Sequence, residues 1–175
     1  MITSTDLLAA ARLPLLDLGR RANTLRENAH GDRVYFAAQP ASAQDLSLSS
    51  SASAEEIVAA LLAARALSPI SVEPRVTAAN GDTTGEAEIR LIALARLAFP
   101  VSVHIRANWA ALSDAVAQVA LRFGADELAG FPSGLDRREI WRTIREAGRE
   151  PYPCDGLYQP VDLPEPPAKL RVLPA

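Results

Sequence analysis

Two short stretches of the chain place ionisable side chains where they can act together. Residues 70–76 alternate apolar Ile70, Val72, Pro74 and Val76 with Ser71, Glu73 and Arg75, and residues 101–106 alternate Val101, Val103 and Ile105 with Ser102, His104 and Arg106. A period of two is that of a strand, whose successive side chains point to opposite faces. Each stretch therefore offers serine, an ionisable residue and arginine on one polar face. Arg75 and Arg106 can grip a carboxylate or phosphate through paired hydrogen bonds, and Glu73 or His104 can accept a sugar hydroxyl. Asn108 and Trp109 stand at the C-terminal end of the second strand, where ligands bind in α/β folds and where an indole can stack on a base.

The same residues admit a structural assignment: Glu73 pairing with Arg106 or His104 to fill a half-polar interior, and Trp109 and Trp141 packing in the core. No residue is assigned as a catalytic acid, base or nucleophile, because Gly-rich phosphate loops and Ser/His/Asp motifs are absent. Cys154 has no histidine near it in sequence.

These strands need helices to carry them. From Asp6 to His30 the apolar positions Leu7, Leu8, Ala11, Leu15, Leu18, Ala22 and Leu25 recur at helical spacing, with Pro14 dividing a short helix from a longer one. Gly31 supplies a helix terminus, and His30 beside the last carbonyls is assigned to capping. Residues 33–38 read as a strand, and residues 39–53, rich in Ser and Ala, as a flexible connection. Ser53 and Glu56 form a capping box ahead of a helix that Pro69 stops, and Thr83 and Glu86 offer another. Asn80-Gly81 marks a turn. A helix over residues 110–123 closes at Gly124, residues 125–129 form a short strand, and Asp136 caps a last helix ending at Gly148.

The repeated strand-helix order implies parallel strands joined by right-handed crossovers. Since a closed barrel needs about eight such units, the expectation is an α/β fold: half of a TIM-type barrel, with about four parallel βα units and an N-terminal helical segment. Residues 1–162 form the domain and residues 163–175 a Pro-rich tail.

Composition narrows the partners. A net charge of −3 disfavours nucleic acid and membrane surfaces, which call for a concentrated basic patch. No apolar run is long enough to span a bilayer. One cysteine excludes an internal disulfide and points to the cytoplasm. With two histidines and one cysteine no metal site is expected, and a zinc site would have to recruit carboxylates.

Five segments carry a resemblance: LRENAHGDRVYF (25–36), TTGEAEIRLIALARL (83–97), HIRANW (104–109), AQVALRFGADEL (117–128) and IREAGREP…LYQPV (144–161). Together they resemble the aminofutalosine synthase group, radical S-adenosylmethionine enzymes of the futalosine route to menaquinone, related to the cyclic dehypoxanthinyl futalosine synthase and the deazaflavin-cofactor synthase. The resemblance implies a 4Fe–4S cluster on a C-x-x-x-C-x-x-C loop after the first strand, with S-adenosylmethionine on the open iron. Residues 39–53 stand in that place and contain no cysteine. The family also has a Thr and an acidic pair after the glycine that follows the strand at 125–129, where this chain has Gly130-Phe131-Pro132-Ser133-Gly134.

The expectation is thus a truncated, non-catalytic or accessory relative with neither cofactor bound. It would bind a small-molecule ligand or a partner protein, either a second copy or a cluster-bearing homologue, because exposed strand edges invite cover. Linked to menaquinone synthesis, it is alternatively the substrate-binding subunit of a radical enzyme completed by such a partner. Glu73, Arg75, His104, Arg106, Asn108 and Trp109 are its candidate ligand-binding residues.

Overall fold

The computed structural model describes residues 2–37, 39–40, 42–78, 83 and 85–166. Helices α1 (Ser4–Ala11) and α2 (Leu15–His30) lead into β1 (Arg33–Phe36), β2 (Gln44–Ser49), α3 (Ala54–Ala66), β3 (Ser71–Thr77) and α4 (Glu86–Ala98). Then come β4 (His104–Asn108), α5 (Trp109–Leu112), α6 (Asp114–Ala120), β5 (Glu127–Ala129), α7 (Arg137–Glu146) and β6 (Glu150–Pro153). The six strands form one parallel sheet in the order β2-β3-β4-β5-β1-β6. The fold is α/β and corresponds to a partial TIM-type unit: among the described residues β2 and β6 are the two edges and the barrel does not close.

Local chemistry explains most of these boundaries. Ser53 and Glu56 make the expected capping box on α3, Ser53 Oγ accepting from Glu56 N at 3.2 Å and Glu56 Oε2 from Ser53 N at 2.7 Å. At α4 the cap differs from expectation. Gly85, in the left-handed region, takes the N-cap position without a side-chain bond, and Glu86 is the first helical residue. Val116 Cγ2 lies 2.8 Å from where a Gly85 Cβ would stand, so close packing of α6 on this turn adds a second reason for glycine. The turn expected at Asn80-Gly81 falls outside the described residues.

Two strands exceed the expected number. The stretch expected to be a flexible connection contains β2, which pairs with β3 from Gln44↔Val72 to Ser49↔Thr77 and buries Leu46. Its serines carry little strand preference of their own, so tertiary pairing decides. β6 is half proline, a composition that reads as irregular; as an edge strand it needs ladder donors on one side only. Pro74 lies inside the internal strand β3, yet the ladder to β4 runs only through Ser71↔His104 and Val72↔Ile105. It stops before the proline's missing N–H is required. β4 itself begins at His104, and Ser102 sits exposed in the preceding turn.

Leu18, Leu61, Ile92, Leu94, Ile105, Leu121, Leu128 and Ile144 are fully buried between the helices and the sheet. Their shared cluster joins α1 through α4 to β4, β5 and α7 in one core. The other face of the sheet is left for polar and aromatic side chains. No helix among the described residues is long and apolar enough to cross a membrane.

Candidate functional site

The registers align one row of side chains across one face of the sheet. Asp45 stands opposite Glu73, Arg106 opposite Glu127, Glu127 opposite Tyr35, and Tyr35 opposite Tyr152; Glu73 and Arg106 lie two residues beyond the Ser71–His104 pair. Since side chains two apart share a face, the alternation in β3 and β4 delivers Glu73 and Arg106 to the same surface.

The bonds in this row are specific. Glu73 Oε1 accepts from Arg75 Nε at 2.6 Å and Asn108 Nδ2 at 2.8 Å, while Arg106 Nη1 lies 3.6 Å from Oε2. Arg106 Nη2 donates to Glu127 Oε1 at 2.7 Å, and Glu127 Oε2 accepts from Ser71 Oγ at 2.8 Å and Tyr158 Oη at 2.7 Å. Glu73, Arg106 and Glu127 are buried, whereas the Arg75 side chain is 43% exposed and marks the rim. Glu73 and Glu127 against Arg75 and Arg106 balance the bonded part of the row, and exposed Asp45 at its β2 end adds one negative charge. Burial lowers the pKa of Arg106, but the pair with Glu127 more than offsets it and the net direction is upward.

A second tier lies at the N-terminal ends of the strands. Asp126, fully buried just before β5, accepts from Ile105 N at 2.9 Å and pairs with Arg96 through Oδ1, while Oδ2 lies 2.5 Å from His104 Nδ1 and 3.6 Å from His30 Nε2. Arg96 is in turn fixed by the carbonyls of Gly124 at 3.0 Å and Val103 at 3.1 Å. Burial pushes the Asp126 carboxyl up, but the Arg96 charge, the His104 bond and the His30 charge outweigh it and hold the group at about 2. On the arginine side burial prevails and lowers Arg96. Burial, followed by the charges of Arg96, His104 and Arg26, lowers His30 despite the opposing pull of Asp126.

The rings close over this tier. Tyr158 stacks on His104 with centroids 3.5 Å apart and planes 13° from parallel, and Tyr35 meets His30, His104, Tyr152 and Tyr158 edge-on. Both histidines and all three tyrosines of the chain thus meet at one place.

Of the residues singled out from sequence, Glu73, Arg75, Arg106 and Asn108 join in one network. His104 stands one tier below, bound to Asp126. Trp109 lies apart: it is 3% exposed, its Nε1 donates to Asp114 Oδ1, and its ring meets Phe131 edge-on at 5.8 Å. It starts α5 on the opposite side of the chain from Asn108 and packs in the core. Glu127, Asp126, Tyr35 and Tyr158 escaped sequence reasoning, and His30, assigned to a helix cap, is buried against Asp126. The adjacent acids in the otherwise apolar run 125–129 were the available signal.

An iron–sulfur cluster needs thiolates. Cys154 is buried, its Sγ lies 3.5 Å from the Phe36 carbonyl, and burial, with Glu127 and Asp155 adding to it, pushes its thiol up to about 11. As the one cysteine in these 175 residues it does not fit a 4Fe–4S centre. His30, His104 and Asp126 are instead a group whose ligand atoms all lie within 4.8 Å of one another.

A family model described as the CofH/MqnC C-terminal region matches residues 69–167. An aminodeoxyfutalosine synthase from Thermus thermophilus is 37% identical over 93 residues, covering 45% of this chain and 25% of the relative. A cyclic dehypoxanthine futalosine synthase from Streptomyces coelicolor is 30% identical over 118 residues, covering 59% of this chain and 30% of the relative. A 5-amino-6-(D-ribitylamino)uracil–L-tyrosine 4-hydroxyphenyl transferase from Methanopyrus kandleri is 35% identical over 100 residues, covering 49% and 27%. The matched stretches span 25% to 30% of these relatives' lengths. The family match carries Ser71, Glu73, Arg106, Glu127 and Tyr158, whereas His30 and Tyr35 precede it.

Proposed function

The chain belongs to the family of the CofH/MqnC C-terminal region, and from that premise we propose that it is a non-catalytic, ligand-binding member of the radical S-adenosylmethionine group, serving the futalosine route to menaquinone. The observation that carries this reading is the buried Glu73–Arg106–Glu127 row on one face of the sheet, rimmed by Arg75 and Asn108. Buried charges that are fully paired hold their geometry, and a polar ligand can exchange bonds with them without paying for their alignment. The donor set does not fit an iron–sulfur cluster, so no radical step is assigned to these residues. A small molecule with carboxylate and hydroxyl groups suits the row, Arg106 and Arg75 meeting its anionic end and Glu73 a hydroxyl.

Calorimetry with aminodeoxyfutalosine and with dehypoxanthine futalosine tests this. The expected result is saturable binding of one of them, weakened about 30-fold or more in Arg106→Gln, the loss that follows from removing one partner of a buried charged bond. Arg75→Gln at the rim, where folding is less at stake, is expected to weaken binding less. No binding of either compound at millimolar concentration would reject the reading, as would a 4Fe–4S absorption band after anaerobic reconstitution with iron and sulfide.

The outer edge of β2, which pairs with no other strand among the described residues, favours a second reading, in which this chain lends its substrate-binding face to a cluster-bearing partner that covers that edge. Co-purification of such a homologue with the tagged chain supports it, and a stable monomer with full ligand affinity rejects it.

A further inference from the structure

We propose that His30, His104 and Asp126 form a binding site for a borderline divalent transition metal, zinc being the reference ion. The ligand atoms converge from three separate elements, the end of α2, the start of β4 and the turn before β5. His104 Nδ1 and Asp126 Oδ2 are 2.5 Å apart, and His30 Nε2 stands 3.6 Å from the same oxygen. Zinc at about 2.0–2.2 Å from each ligand separates tetrahedral neighbours by roughly 3–3.5 Å; the three atoms lie within 4.8 Å of one another, so the His104–Asp126 pair must open and the two imidazoles must sit at that same spacing on binding.

An independent observation points to a ligand at this place. His30 Nε2 is buried without a hydrogen-bond partner, in a side chain only 8% exposed, and it aims at the Asp126 oxygen from beyond bonding distance. A buried imidazole nitrogen is costly to leave unsatisfied. A metal between the three atoms satisfies it.

Chemistry selects the ion. Two imidazoles and one carboxylate suit zinc and its neighbours in the first transition row, whereas magnesium and calcium prefer oxygen ligands alone. Arg96 and Ile105 N occupy Oδ1 and leave Oδ2 to face the histidines, which is the outer-shell support that orients a ligating carboxylate. Burial already disfavours a proton on His30. A metal at His104 Nδ1 needs the neutral ring with its proton on Nε2, so the proton between Nδ1 and Asp126 Oδ2 gives way to the metal and the ring takes the Nε2–H tautomer. The Arg96 charge neutralises Asp126 before any metal arrives, so micromolar affinity is expected.

The experiment uses the whole chain after chelator treatment. Titration with Co2+ is expected to give a visible d–d band saturating at one equivalent and displaced by Zn2+. His30→Gln is expected to weaken binding by about tenfold or more with an unchanged far-ultraviolet circular dichroism spectrum. A second measurement needs no variant. Because the chain has only two histidines, imidazole resonances report on both directly, and Zn2+ is expected to shift both together while Mg2+ shifts neither. Absence of the cobalt band, unmoved imidazole resonances, or His30→Gln binding as tightly as the parent chain would each overturn the assignment.

Discussion

Replacing Asp126 by asparagine isolates the energetics of the lower tier. The carboxylate is fully buried, and its partners hold it at about 2 against an ordinary 3.8. A drop of that size is worth about 2.5 kcal/mol of stability, because each pH unit is about 1.4 kcal/mol. Asparagine loses that contribution and also leaves the Arg96 guanidinium, itself fully buried, without a counter-charge. Removing one member of a buried pair costs about 3–5 kcal/mol. The two figures bracket an expected loss of about 2.5–5 kcal/mol.

Urea denaturation of the chelator-treated protein at neutral pH measures it as a lower midpoint with an unchanged slope. The folded-state value lies below the unfolded one, so the contribution is present in full above the unfolded value and disappears as pH falls through about 2. Between pH 5 and about 1 the parent chain should therefore lose stability that Asp126→Asn never had. Adding Arg96→Met to Asp126→Asn removes the stranded charge and should recover part of the loss. A single-variant cost under about 1 kcal/mol, or a double variant no more stable than the single, would refute the view that this pair holds the floor of the sheet together.

Two further outcomes concern the frame around the site. Gly130→Ala forces a Cβ to within 2.1 Å of Asn108 Oδ1 at a backbone φ of +70°, and is expected to lower stability by about 1–3 kcal/mol in thermal melts and to disturb the Asn108–Glu73 bond. Ser53→Ala removes the α3 capping box and is expected to cost about 1 kcal/mol by denaturant titration, leaving ligand affinity unchanged because α3 contributes nothing to the row.

What could be read from the sequence was local. The period of two in β3 and β4 placed Glu73, Arg75, Arg106 and Asn108 on one face, and the structure joins them because parallel pairing sets β3 beside β4. The same period misled at the strand's start, where residues 101–103 form a turn ahead of β4. Glu127 and Tyr158 gave no comparable signal, since a three-residue strand is too short for alternation and Tyr158 arrives from a proline-rich stretch. Their meeting depends on β1 standing beside β5, which no local pattern reports. Likewise His30 reads as a capping residue from its own helix, and only the approach of the α2 C-terminus to the turn before β5 shows the buried Asp126 beneath it. β2 and β6 were missed because pairing, and for β6 an edge position that tolerates proline, override weak intrinsic preference.

The insertion of β1 between β5 and β6 has a kinetic consequence. β1 is the first strand in the chain, yet both its neighbours come from the last third of the described residues. Its ladder can close only after residues 127–129 and 150–153 exist and have found their places, so the pairing carries a long loop-closure cost. On a ribosome the β2–β4 portion can assemble as it emerges, while β1 waits with both edges bare. Tyr35, whose ring ties the two histidines to the other tyrosines, should be among the last residues to reach its native surroundings.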